Sequence, residues 1–295
     1  SNDYELSGNE QKLIREVTKA FHAVNKKVIV ILNISGVIET TSWNNTPDAI
    51  LLAWQLGQEG GNSVADVLSG KVNPSGKLPM TFPVKYADIA SSANFPQDNT
   101  PDFDVNSILG LNKDPDRELV RNVDYTNYEE DIFVGYRYFD SFGKQVSYPF
   151  GYGLSYTAFE LSNPTVKEEN DAFTLTVDVK NTGNFAGKEV VQLYASAPAN
   201  PAYAKPEKEL KAFAKTKELQ SNETQTITLT VAAADLASFD PDASAWVTDN
   251  GKYLFQLGTS SKDIKVSVDA TINQKLKVKT NNVLSLQSPI NILKR

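Results

Sequence analysis

The feature that most limits the fold is a change of hydrophobic period part-way along the chain. Up to about residue 70, apolar residues either line one face at helical spacing or run together without interruption. Leu13, Ile14, Val17, Phe21 and Val24 mark a helix face behind Ser7-Gly8-Asn9-Glu10. That S-x-x-E pattern is a capping box, in which Ser7 and Glu10 satisfy each other's orphan backbone N–H groups. Lys26-Lys27 then introduces Val28-Ile29-Val30-Ile31-Leu32, a β-branched run that reads as a strand buried on both faces. Ile50 to Trp54 repeats the signal, and beyond a glycine-rich loop a helix is expected over Asn62–Leu68 with Val64, Val67 and Leu68 inward. Helices alternating with doubly buried strands predict a parallel α/β sheet. Only two or three such units precede the turn Asn73-Pro74-Ser75-Gly76, against about six strands in a doubly wound domain, so the sheet is expected to be incomplete on its N-terminal side.

Beyond residue 157 the period becomes two. Phe173–Val179, Val190–Tyr194, Thr226–Val231, Lys252–Leu257 and Ile264–Val268 alternate, with turn signals at Asn181-Thr182-Gly183 and Asp249-Asn250-Gly251. Short strands at this spacing predict an immunoglobulin-like or fibronectin-type β-sandwich over residues 157–272. Between the two patterns, Val84 to Asp124 is polar and proline-spotted, a long connecting loop, and Tyr125 to Tyr156 is crowded with aromatics. The expected organisation is an α/β part over 1–92, a connecting segment and aromatic seam over 93–156, the sandwich over 157–272, and an unassigned tail over 273–295 with weak alternation at Leu276, Val278 and Val283-Leu284.

Several chemistries are excluded at once. The chain has no cysteine, which removes disulfides, thiolate catalysis and Cys-type zinc sites. Its single histidine, His22, sits on a helical segment with no nucleophile beside it and reads as a surface residue. A net charge of −7 without any basic stripe argues against nucleic acid, whose binding depends on Lys and Arg releasing counterions. No apolar run approaches the roughly 18 residues that a membrane-spanning helix needs. What remains for chemistry is carboxylates, 36 of them. The opening Ser1-Asn2, without Met or a signal-peptide pattern, reads as a processed, tagged or cut terminus.

The loop Gly57-Gln58-Glu59-Gly60-Gly61-Asn62-Ser63 invites a phosphate reading, which its residues oppose. It matches neither G-x-G-x-x-G nor G-x-x-x-x-G-K-S/T, and Glu59 would put a negative charge in the anion nest. A tight connection accounts for every residue type: Gly60 and Gly61 allow close backbone packing, and Glu59 suits a helix N-terminus.

The ordered segments TTSWNN, AILLAWQLGQEGGNSVADVLSGKVNPSGKLPMTFP, YEEDIFVGYRYFD, YPFGYGLSYTAFE, NTGNFAGKEVVQLY and KELKAFAKTKEL resemble the C-terminal half of glycoside hydrolase family 3 enzymes of the β-glucosidase type. The resemblance runs from about Leu6 to Ile272. It implies the end of an α/β sandwich domain followed by a fibronectin type III-like domain, in agreement with the two periods. It also implies that the catalytic Asp lies on an upstream barrel and the acid/base Glu in a loop before the helix that begins near Ser7. No family catalytic residue can therefore be assigned here; no metal or organic cofactor is implied, and no cofactor-binding position is found.

Within the chain, Glu59, Glu129 and Glu130 are the carboxylates to weigh as an acid/base. For Glu129-Glu130-Asp131 the structural alternative, pairing with Arg137 or capping backbone groups, is preferred. Trp54 is expected in the core, and Trp43, in a polar loop, nearer a sugar subsite rim. The aromatics Tyr136, Tyr138, Phe139, Phe142, Tyr148, Phe150, Tyr152 and Tyr156 are expected to fill an interdomain seam rather than form a carbohydrate platform.

The resemblance thus implies part of a retaining β-glycosidase, foremost a β-glucosidase acting on terminal non-reducing β-D-glucosyl residues, inactive alone and partnered by a barrel-containing half. A stand-alone carbohydrate-binding or adhesion module is the alternative. A homo-oligomer stays open, and periplasmic or secreted placement is put ahead of cytoplasmic.

Overall fold

The computed structural model describes residues 4–94, 126–283 and 288–295. Helix α1 (Gly8–His22) begins on the expected capping box: Ser7 Oγ accepts from the Glu10 N–H at 3.3 Å, and Glu10 Oε2 accepts from the Ser7 N–H at 2.8 Å. Strands β1 (Ile29–Leu32) and β2 (Ala49–Leu52) pair in parallel, Ile29 opposite Ala49 through Leu32 opposite Leu52. Helix α2 (Gly60–Leu68) follows the glycine loop and starts two residues earlier than its apolar face indicates.

The expected double burial of these strands is not observed. Ile29 and Ile31 are 45% and 43% exposed, and the α1 face of Leu13, Val17 and Phe21 lies open, as does Val24 in the turn behind it. Leu68 is exposed as well, while Val64 and Val67 are half-buried. The periodicity is that of a layered α/β structure, but among the described residues nothing covers its outer layer.

The short strand β3 (Phe82–Pro83) pairs antiparallel with β4 (Val146–Tyr148), joining the α/β part to the segment that carries helix α3 (Tyr136–Ser141). Of the expected connecting loop, residues up to Asn94 form 3-10 turns at Tyr86–Asp88 and Ala90–Ala93; its remainder lies outside the described residues.

The sandwich consists of two antiparallel sheets. One has the order β5 (Phe159–Glu169), β6 (Ala172–Asn181), β9 (Thr224–Ala232); the other β13 (Asp263–Ile272), β12 (Gly251–Ser260), β7 (Val190–Ser196), β8 (Glu209–Lys215). Alternation along β6 sends Phe173, Leu175, Val177 and Val179 inward, where they meet Leu193, Phe255 and Leu257 of the facing sheet. All seven are fully buried. β5 and β8 carry no clean alternation: β5 has a bulge between Ser162 and Thr165, with Asn163 at φ +52°, and β8 leaves Phe213 exposed. The tail contributes a strand, β14 (Leu276–Lys279), which pairs with β11 (Ala245–Thr248) and so extends the hairpin of β10 (Ser238–Asp240) and β11 into a third small sheet.

Candidate functional site

In open parallel sheets, ligands bind at the carboxyl ends of the strands. Here β2 runs into Trp54, a half-buried residue held at φ +54° with its ring 6.2 Å from that of Phe82. Five residues on, Glu59 is the N-cap of α2, exposed, its Oε2 accepting from Asn62 Nδ2 at 2.6 Å. A Cβ on Gly60 would lie 2.4 Å from Leu56 Cβ, so the close approach there needs glycine. Gly61 has open space around it and is not required for packing, contrary to the paired role given to both glycines above.

The two other carboxylates lie in the segment before α3. Glu129 accepts from Asn94 Nδ2 at 2.8 Å through Oε2, and its backbone carbonyl accepts from the Leu293 N–H at 2.7 Å, tying the C-terminal tail down. Glu130 is buried, with Oε2 lacking a hydrogen-bond partner among the described residues. Neither pairs with Arg137, whose guanidinium lies 3.4 Å from Glu209 of β8. A retaining glycosidase places its two carboxylates about 5 Å apart across the scissile bond. Glu59 and Glu129 each accept instead from an asparagine side chain, Asn62 and Asn94.

Trp43 does not lie where it was expected, and Trp54 is only half-buried, against Phe82. Trp43 is 3% exposed, and its Nε1 donates to the Glu39 carbonyl at 2.8 Å. Its turn is closed by the buried Glu39 carboxylate, which accepts from the Ser42 N–H at 2.7 Å and from the Ser42 hydroxyl at 2.6 Å. A polar sequence here makes a folded turn with an apolar centre, so Trp43 is no rim residue, and Trp54 is the more open of the two. His22 is a surface residue, its Nε2 2.8 Å from Asp48 Oδ2; Lys27, His22 and the Val28 N–H together hold the Asp48 carboxyl well below the usual range.

Between the α/β part and the sandwich, aromatics pack on one another. Tyr136 stacks on Phe150 at 4.7 Å, meets Tyr194 edge-on at 5.8 Å, and accepts from the Leu210 N–H at 2.7 Å. β7 is therefore buried on both faces: Leu193 points into the sandwich, while Gln192 and Tyr194 face this layer. Gln192 Nε2 donates to the carbonyls of Gly151 and Thr259, at 3.1 and 2.8 Å. Gly151, at φ +79°, has no room for a side chain, since a Cβ would sit 2.0 Å from Gln192 Oε1. Burial pushes the Tyr194 phenol far above its ordinary value.

Buried ion pairs fasten the same region. Lys77 meets Glu189 at 2.8 Å with both side chains almost buried. Asp140 of α3, 2% exposed, lies 3.0 Å from Lys208 and 2.7 Å from Lys262, contacts with the distance but not the alignment of hydrogen bonds. Within the sandwich part itself, Asp249 is approached by Lys205 at 2.7 Å and Lys275 at 3.1 Å. Burial alone would raise its pKa, but Lys205, Tyr203, Asn200 and Lys275 outweigh that and hold it well below the usual carboxylate range. Sequence patterning carries no sign of these clusters, because their members are distant along the chain. They hold surfaces together, and none presents a free nucleophile. Among the described residues, no group of three His, Asp or Glu side chains is placed to hold a metal ion, and no helix is long and apolar enough to cross a membrane.

Comparison with known proteins agrees with this geometry. Residues 1–156 match the glycosyl hydrolase family 3 C-terminal domain, and residues 189–261 a fibronectin type III-like domain. Beta-glucosidase A of Butyrivibrio fibrisolvens is 37% identical over 99% of this chain, which spans 35% of that protein. An exo-alpha-(1->6)-L-arabinopyranosidase of Bifidobacterium breve is 35% identical over 85% of the chain, which spans 30% of it. The structure of beta-glucosidase 3B from Thermotoga neapolitana superposes with a TM-score of 0.82 at 42% identity, covering 95% of this chain and 36% of that one. The chain thus spans about a third of the length of these relatives. It belongs to glycosyl hydrolase family 3, carrying that family's C-terminal domain and, behind it, a fibronectin type III-like domain.

Proposed function

We propose that the chain is the C-terminal part of a retaining β-glycosidase, foremost a β-glucosidase releasing terminal non-reducing β-D-glucosyl residues, and that it is inactive alone. The observation that carries this reading is the open apolar layer of α1 and β1. Leu13 and Phe21 on the helix, Val24 in the turn behind it, and Ile29 and Ile31 on the strand are 43–64% exposed, which is the surface of a buried layer without its neighbour. A barrel-containing part covers that layer and contributes the two carboxylates that hydrolysis with retention requires. The α/β part then forms one wall of the cleft, with Trp54 and the Glu59 loop at the strand ends. A self-sufficient carbohydrate-binding or adhesion module is the weaker reading, because an uncovered sheet and helix face invite association.

The test is hydrolysis of an aryl β-D-glucoside by this chain alone and by the chain mixed with a barrel-containing half from a related enzyme. An aryl α-L-arabinopyranoside serves as second substrate, given the Bifidobacterium relative. Activity only in the mixture supports the reading. Activity from the chain alone overturns it and returns Glu59, Glu129 and Glu130 to consideration.

A further inference from the structure

A half-open cavity of about 300 Å³ lies between the Pro149–Leu154 loop and the turn joining β12 to β13. That volume is at the small end of the range for small-molecule sites, about 300–1,000 Å³. One wall is apolar, formed by Pro149, Tyr152 and Leu154, and Leu154 is 72% exposed. The other wall carries Thr259, Ser260, Lys262 and Asp263.

Both walls are held rigidly. The Tyr152 carbonyl accepts from the Leu78 N–H at 2.8 Å, and its ring packs 5.3 Å from that of Tyr148. Gly153 backs onto Gly76, where an added Cβ would lie 2.2 Å from the Gly76 carbonyl oxygen. Across the cavity, Thr259 Oγ1 donates to Asp263 Oδ2 at 2.6 Å, and the Asp263 N–H donates to Ser260 Oγ at 3.0 Å. Groups fixed in this way lose little freedom when a ligand arrives.

Charge and hydrogen-bonding capacity narrow the ligand. Lys262 is already paired with Asp140 and Asp263 with Lys265, each at 2.7 Å, so the walls hold no unpaired charge to select an ion. The Tyr152 hydroxyl has no hydrogen-bond partner among the described residues and is free to donate, and burial first, then Tyr148, pushes its pKa up. An apolar wall facing a rim of charge-paired donors and acceptors suits a ring with one apolar face and hydroxyls around its edge.

We propose that this cavity is a non-catalytic pyranose site, the sugar's apolar face lying on Leu154 and Tyr152 and its hydroxyls reaching Asp263, Lys262 and the Tyr152 phenol. The choice of a sugar among neutral polyols rests on the glycosidase reading, but occupancy needs neither catalytic carboxylates nor a second half. A failed mixing experiment therefore leaves this site untouched, and failure here leaves the hydrolysis reading untouched.

The experiment is titration of the 295-residue chain with methyl β-D-glucopyranoside, cellobiose and mannitol, followed by ligand-observed NMR. Saturable binding of the two pyranosides with Kd on the order of 1 mM, and none of mannitol, is expected. Tyr152→Phe, which removes one atom, should weaken it about 2–10-fold, and Leu154→Asp, at an exposed position, should abolish it. Trp246→Ala should leave it unchanged, since Trp246 lies on the small sheet with Phe239 and Val278 as its cross-strand neighbours. No saturation, equal binding of mannitol, or loss in Trp246→Ala with retention in Leu154→Asp would overturn the proposal.

Discussion

In the sandwich, Phe173, Leu175, Leu193, Phe255 and Leu257 are 0% exposed, whereas in the α/β part Leu13, Phe21, Val24, Ile29 and Ile31 are 43–64% exposed. The two sets are equally apolar, so the difference is one of supply. A strand that alternates asks for a partner on one face only, and the sandwich provides both sheets within about 115 residues of continuous chain. An uninterrupted run such as Val28–Leu32 asks for cover on both faces, and the paired strands have it on neither in full. Stability here should therefore be concentrated in the sandwich and in the aromatic layer against β7, with the α1–β1 layer contributing little until something is placed on it.

The sharpest way to break that contrast is to remove apolar volume where it is fully enclosed. Phe255→Ala deletes a ring that packs 5.3 Å from Phe173 at the centre of the sandwich. A cost of about 3–5 kcal/mol is expected. Urea unfolding reads the loss, and hydrogen exchange at β6 and β12 locates it. A cost below about 1 kcal/mol would mean that the sandwich core is looser than its burial indicates.

A smaller effect separates the two glycines of the α2 loop. Gly60→Ala pushes a methyl group onto Leu56 and should cost about 1–3 kcal/mol by overpacking. Gly61→Ala enters open space on the exposed side of the helix and should stay within about 0.5 kcal/mol of the parent. Thermal unfolding followed through Trp43 and Trp54 compares them. Equal costs would show that this loop is shaped by a contact outside the described residues.

How much of this could be read beforehand follows from where each signal lives. Strands β6, β7, β9, β12 and β13 of the sandwich, the parallel pair and the Ser7 capping box were legible because each is written within a few consecutive residues. The bulged β5 was not, because Asn163 at φ +52° interrupts its alternation. The tail strand β14 was legible only as weak alternation, because four residues gain definition from pairing with β11. Trp43 was misplaced because burial in a polar turn depends on Glu39 folding back onto Ser42, a local hydrogen-bond pattern that hydropathy does not register. The cavity at Tyr152 was hidden for a related reason. Tyr152 stands among residues that fill a seam, and Lys262 and Asp263, more than a hundred positions away, reach it only through the fold.

The smallest effect is the most informative about the α/β part. Leu13→Ala and Phe21→Ala on α1 remove side chains that are 63% and 49% exposed, so in the isolated chain each should change stability by no more than about 0.5 kcal/mol. The same positions govern association if the layer is covered by another polypeptide. Phe21→Asp should lower light scattering of the chain alone, and should lose most of whatever hydrolysis the mixture with a barrel-containing half restores. Should Phe21→Ala instead cost as much as Phe255→Ala, the α1 face is already covered in solution by a second copy, and the contrast between the two regions belongs to the monomer only. Dilution separates the cases, because a cost that arises from a dimer interface falls with protein concentration whereas one arising from packing within the chain does not.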